Sequence, residues 1–149
     1  MIKDEIYDNK KILNGNYEDA QSFLFENGYV QIKNVLDKKG INEFEKACDL
    51  VKKKPTPFKI HRKNELGEFF MDFNNWRRFD VVFEICKKPE IVKLVKILSG
   101  SDKVNLMHED IILKEGNLVQ ETPPHHDRPY FVTKGNLNLS IWITSTVVA

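Results

Sequence analysis

The chain has 149 residues, 41% of them hydrophobic and 30% charged, with a net charge of +1; this size and balance fit one globular domain. So weak a field excludes nucleic acid as the main partner, since that binding needs a concentrated basic surface; the short runs Lys52-Lys53-Lys54 and Lys87-Lys88 read as solvated helix ends. Residues 1–16 show no apolar leader pattern, no apolar run approaches membrane-spanning length, and two cysteines, Cys48 and Cys86, are too few for a disulfide framework, so the expectation is a cytoplasmic protein with two reduced, packed thiols and no membrane partner.

In chain order, residues 1–16 read as a polar lead-in. Asn16 is placed to cap a helix from Tyr17, with Glu18 and Asp19 in its first turn and Asn27-Gly28 at its end. Val30 and Ile32 alternate with Gln31 and Lys33, which predicts a short strand. Asp37 opens a helix over 38–53, in which Ile41, Phe44, Cys48 and Val51 recur at helical spacing before Pro55 and Pro57 stop it. Phe58 to His61 is a strand candidate, Asn64 to Gly67 reads as a turn, and Phe69 to Phe73 as a second strand or a lid segment. A helix follows over Trp76 to Cys86. The next one has Pro89 in its first turn, a stripe of Ile91, Leu94, Val95 and Leu98, and Gly100 at its close.

After Gly100 the pattern turns to strands: Val104 to Lys114, an extended aromatic-rich segment from His125 to Val132, and a β-rich run from Leu137 to Val148. The organisation is therefore one α+β domain over 1–149, mainly helical over 17–100 and strand-forming over 101–149, with helices packed outside a sheet.

The segment most informative about chemistry is Pro124-His125-His126-Asp127-Arg128-Pro129-Tyr130-Phe131. Side chains two apart on an extended chain share a face, so His125 and Asp127 project together and His126 projects away. An imidazole beside a carboxylate supplies two of the three ligands of a 2-His-1-carboxylate site, which holds Fe(II) on one face and leaves the other open for co-substrate and dioxygen. A bare His-x-Asp also arises as a surface ion pair or a capped turn. What favours the metal is its place just before a strand-rich segment, with Tyr130 and Phe131 following to wall a pocket. In the last run, Asn138, Ser140, Trp142 and Thr144 share one face, as solvent face or as cavity lining. In Val104 to Lys114, His108, Asp110, Ile112 and Lys114 share a face; Lys114 can reach a keto-acid carboxylate or be an ordinary strand-end lysine. His108 and His61 are further candidate ligands, though histidines in such places are more often satisfied or exposed.

Several pieces, in order, resemble the phytanoyl-CoA dioxygenase-like family of Fe(II)/2-oxoglutarate-dependent oxygenases. They are Phe25-Glu26-Asn27-Gly28-Tyr29 with Val30 to Leu36, Lys88-Pro89-Glu90-Ile91 through Gly100, Asp110 to Lys114, His125 to Phe131, and Ile141-Trp142-Ile143. The resemblance implies a double-stranded β-helix, a jelly-roll relative of the cupins, with helices outside. It implies Fe(II) on His125 and Asp127, and 2-oxoglutarate as co-substrate near Lys114, Trp142 and Tyr130. The implied reaction is hydroxylation of an unactivated C–H bond of a small-molecule substrate by dioxygen, with no catalytic group beyond the metal ligands. Related halogenases lack the carboxylate, so Asp127 favours hydroxylation. The family's second iron histidine and its 2-oxoglutarate-binding arginine follow a Gly-rich stretch with a Pro-Gly-Ser-His-like motif, and no such motif occurs here. The expectation is thus the N-terminal part of such an oxygenase, truncated at the C-terminus and inactive alone, unless a homodimer fills the missing strands. Two alternatives stand beside it: a non-catalytic jelly-roll scaffold or interaction module, and a cupin-like metal enzyme that does not use 2-oxoglutarate.

Overall fold

The computed structural model describes residues 5–116, 125, 127 and 137–145. These form a mixed α/β structure of two small sheets with helices packed on them. The predicted polar lead-in is itself structured. Strand β1 (Ile6–Asp8) leads directly into helix α1 (Asn9–Leu13), capped by the Asp8 carboxylate, which accepts from Lys10 N. Ile12 is almost fully buried. Helix α2 (Glu18–Asn27) starts after Tyr17 with no side-chain cap, so Asn16 does not play the capping role expected of it; Gly28 closes the helix in the left-handed conformation. Strand β2 (Gln31–Lys33) pairs in parallel with β1.

Helix α3 (Lys38–Lys53) has the predicted bounds, with Asp37 Oδ1 accepting from Gly40 N at 2.7 Å. Strands β3 (Ile60–Asn64) and β4 (Gly67–Phe73) form a hairpin, and β4 pairs antiparallel with β5 (Asp110–Gly116) to give the order β3-β4-β5. Between β4 and β5 lie a 3-10 turn (Asn75–Arg77), helix α4 (Asp80–Cys86) and helix α5 (Pro89–Ser99), which Gly100 ends. The helix expected over Trp76 to Cys86 is therefore split into the 3-10 turn and α4, because Phe79 adopts an extended backbone.

Two apolar clusters hold these elements. One joins α1, α2 and α5 through Ile12, Ala20, Leu94 and Leu98, with the Gln21 side-chain amide donating to Ile97 O at 2.8 Å. The other joins α3, β4, α4 and β5 through Ala47, Cys48, Val51, Phe70, Val82, Ile85 and Ile111. Burial of both thiols within this cluster and its rim pushes Cys48 and Cys86 up to about 11, so they are protonated at neutral pH.

Alternation along β4 sets the two faces of the larger sheet. Glu68, Phe70 and Asp72 are buried toward the helices, while Phe69, Met71 and Phe73 point the other way and are half-buried. Register places Arg62, Phe69 and Lys114 in one row of that second face, Ile60, Met71 and Ile112 in the next, and Phe73 with Asp110 in the third. Val104 to Glu109, expected to belong to the strand, makes no ladder; the strand begins at Asp110, where Phe73 supplies a partner. Among the described residues, Leu137 to Ser145 likewise makes no ladder, despite its alternation. Alternation sorts side chains by face, but a strand also needs a neighbour whose backbone groups meet its own.

Candidate metal and ligand site

His125 and Asp127 come together as the spacing predicts. His125 Nε2 lies 3.4 Å from Asp127 Oδ1, and both side chains are about 40% exposed (42% and 41%). Two atoms each about 2.1 Å from one ion and at right angles to each other lie roughly 3 Å apart, so the donor set and its spacing fit a shared divalent metal. Asp127 Oδ2 accepts a hydrogen bond from the Ser140 hydroxyl at 2.8 Å. That bond leaves Oδ1 facing the imidazole. The sequence placed Ser140 on the polar face of its segment but offered no signal that it would meet Asp127.

A second His-x-Asp pair sits beside the first. His108 Nε2 is 2.5 Å from Asp110 Oδ1, and the His108 ring lies over Phe73 with centroids 6.2 Å apart. Burial pushes the Asp110 carboxyl above the usual range; the charge of His108 opposes this and that of Asp127 adds to it. Asp110 and Asp127 therefore feel one another. The repeated spacing at 108/110 and 125/127 was the sequence signal for this pairing.

Glu109, between His108 and Asp110, points inward. Its Oε2 accepts from Trp76 N at 3.1 Å and its carbonyl from Asn74 N at 2.8 Å. Those bonds fasten the chain to the 3-10 turn and aim its neighbours at the opposite side. Burial pushes the Glu109 carboxyl up, against the backbone N–H groups of Trp76 and Asn75.

The other predicted residues are placed as follows. Lys114 shares the open sheet face with Asp110, four residues further along β5, about 13–14 Å at the usual strand rise. Trp142 is 78% exposed. Tyr130 and His126 lie outside the described residues. His61 is on the helix-facing side, 2.8 Å from Glu68. Among the described residues, no group of three or more His, Cys, Asp or Glu side chains is arranged to hold a metal, and no helix is long and apolar enough to cross a membrane.

An α+β frame that presents an imidazole and a carboxylate side by side has part of the donor set of non-haem iron proteins. Residues 24–148 match the family model described as phytanoyl-CoA dioxygenase (PhyH), and the chain belongs to that family. It is 30% identical over 130 residues to a Caenorhabditis elegans protein described as a probable phytanoyl-CoA dioxygenase, an alignment covering 76% of this chain. The chain spans 42% of that relative's length. No solved structure matches it.

Proposed function

We propose that this chain carries the metal-binding portion of an Fe(II)/2-oxoglutarate-dependent dioxygenase that hydroxylates a small molecule in the cytoplasm. The observation that carries the reading is the His125–Asp127 pair at 3.4 Å, steadied by Ser140, in a chain whose residues 24–148 match the family. In this reading the sheet β3-β4-β5 is part of a jelly roll whose open face lines the site, and α3 and α4 pack outside it. His125 and Asp127 hold the iron, Ser140 fixes the Asp127 carboxylate, and Lys114 pairs with a carboxylate of 2-oxoglutarate. Tyr130 and Trp142 flank that co-substrate. Iron with 2-oxoglutarate and dioxygen supplies the oxidising power for hydroxylation, with succinate and carbon dioxide as co-products.

The test is anaerobic absorption spectroscopy of the protein with Fe(II) and 2-oxoglutarate. A charge-transfer band is expected in the native protein and is expected to vanish in His125→Ala and in Asp127→Ala. A band that survives in both variants removes the ligand assignment and returns the chain to the scaffold reading.

A further inference from the structure

Residues 53–64, from the end of α3 through β3, hold Lys53, Lys54, Lys59, Arg62 and Lys63 and no carboxylate, in a chain whose net charge is only +1. Lys63 meets Glu68 at 3.5 Å and Arg62 also has a partner, but among the described residues Lys53, Lys54 and Lys59 form no ion pair, and all three are exposed. Lys53 and Lys54 complement the dipole at the end of α3; Lys59 lies beyond the helix and has no such duty. Beside Lys59 stands Phe58, 82% exposed, ahead even of Trp142 among the large apolar side chains described. The loop that carries Phe58 is fastened rather than loose. The Lys54 carbonyl accepts from Arg78 Nη2 at 2.7 Å. Thr56 N donates to Asp72 Oδ2 at 2.8 Å and the Thr56 hydroxyl to Asp72 Oδ1. Phe58 N donates to the Thr56 hydroxyl oxygen at 3.2 Å, and Lys59 N to the Thr56 carbonyl at 3.3 Å. Asp72 is fully buried, so a carboxylate taken out of water serves this loop, and Pro55 and Pro57 restrict its backbone further.

From the fastened ring and the unpaired ammonium groups around it we infer that residues 53–59 seat the protein on an anionic lipid bilayer. Phe58 enters the boundary between headgroups and acyl chains, and Lys53, Lys54 and Lys59 meet the headgroups. A single exposed apolar residue says little by itself; the charges and the fixed loop select the occupant. The ring gains by leaving water, and each lysine gains in the negative surface potential of the bilayer. A loop already held in place loses little freedom on insertion. A carboxylate in this stretch would be repelled, and residues 53–64 have none. A second copy bound through the same patch would set these lysines against themselves. An acidic protein surface would match the lysines and leave the ring in water. The expectation of no membrane partner came from the lack of a spanning segment, and a contact on the surface needs none. The inference stands apart from the oxygenase reading and uses none of its residues.

The experiment is co-sedimentation of the full-length protein with vesicles of phosphatidylcholine containing about 30% phosphatidylserine, beside vesicles of phosphatidylcholine alone. Binding is expected to the first and to be far weaker to the second, and to fall as salt rises from about 0.1 M to about 0.5 M. Phe58→Ala should weaken it by about tenfold, and the joint change Lys53→Gln, Lys54→Gln, Lys59→Gln by about a hundredfold. All four side chains are exposed, so the variants should melt with the native protein, and matched melting curves check this. In a second measurement, lipids brominated on their acyl chains should quench the fluorescence of Phe58→Trp more than that of the native protein, whose tryptophans are Trp76 and Trp142. Failure to bind the anionic vesicles, equal binding to the neutral ones, or no extra quenching in Phe58→Trp overturns the inference. Binding that needs the lysines but not Phe58, and that polyglutamate displaces, overturns it in favour of an acidic protein partner. A vesicle-free dimer that Phe58→Ala dissolves overturns it in favour of a second copy.

Discussion

Asp127 has two oxygens with different duties. Oδ1 faces His125 and Oδ2 is held by the Ser140 hydroxyl. A carboxylate on a partly exposed chain has rotamer freedom, and each hydrogen bond that fixes it makes it a better-placed ligand. Ser140→Ala should therefore lower Fe(II) or Mn(II) affinity by about tenfold, while Ser140→Thr, which keeps the hydroxyl, should restore most of it; a metal titration of the three proteins decides the point. Equal affinity in all three would mean that Ser140 merely decorates Asp127. The closeness of His125 and Asp127 was legible from their spacing of two residues. Ser140 was not, since its partner lies 13 residues away and only the fold joins them. Trp142 was read with even weight as solvent-facing or pocket-lining, and alternation alone had no means of choosing.

Among the elements, the three-stranded sheet is tied to α3 by charge as well as by the Phe70 cluster. Lys52 on α3 reaches Glu68 on β4 at 3.1 Å and Glu115 on β5 at 2.8 Å, and Glu68 also meets His61 on β3 at 2.8 Å. The Lys52 ammonium first, then His61, holds the Glu68 carboxyl down to about 2 from an ordinary 4.5. A carboxyl depressed in the folded state contributes stability that is complete above the unfolded value and is lost as pH falls through the folded one. Native protein should therefore lose melting temperature between about pH 4.5 and pH 2, and Glu68→Gln should show a shallower decline across that window. Parallel declines would mean that this network contributes nothing to folding. Helices α3 and α5 were legible to their ends because the start signal (the Asp37 cap for α3, Pro89 in the first turn for α5), the periodic stripe and the stop signal are all local in sequence. Strands β1 and β2 are three residues each and depend on one another across the chain. Ile6 and Tyr7 were the traces of that pairing inside a segment that otherwise reads as polar. The segment 104–109 failed as a strand for the complementary reason: its residues alternate, but β4 ends at Phe73 and has nothing left to pair with them.

At the scale of the molecule, the parts that hold the fold and the parts assigned to chemistry are separate. Stability rests on the cluster around Ile12, Ala20, Leu94 and Leu98 and on the cluster around Val51, Phe70 and Ile85, whereas His125 and Asp127 are about 40% exposed (42% and 41%) and belong to neither. Truncating Asp127 should then leave the metal-free protein nearly as stable as before, within about 0.5 kcal/mol. Metal binding is a different matter, because an ion that binds only the folded chain stabilises it by mass action. At a concentration one hundred times its dissociation constant the gain is about 2.7 kcal/mol, which for a chain of this size raises the melting temperature by roughly 5–10 °C. Thermal unfolding with and without Mn(II) is expected to show that rise in the native protein and none in Asp127→Ala, with the two metal-free curves superimposed. A rise that persists in Asp127→Ala would place the ion elsewhere. A metal-free Asp127→Ala that melts far below the native protein would make Asp127 a structural residue, and the separation between frame and chemistry would fail with it.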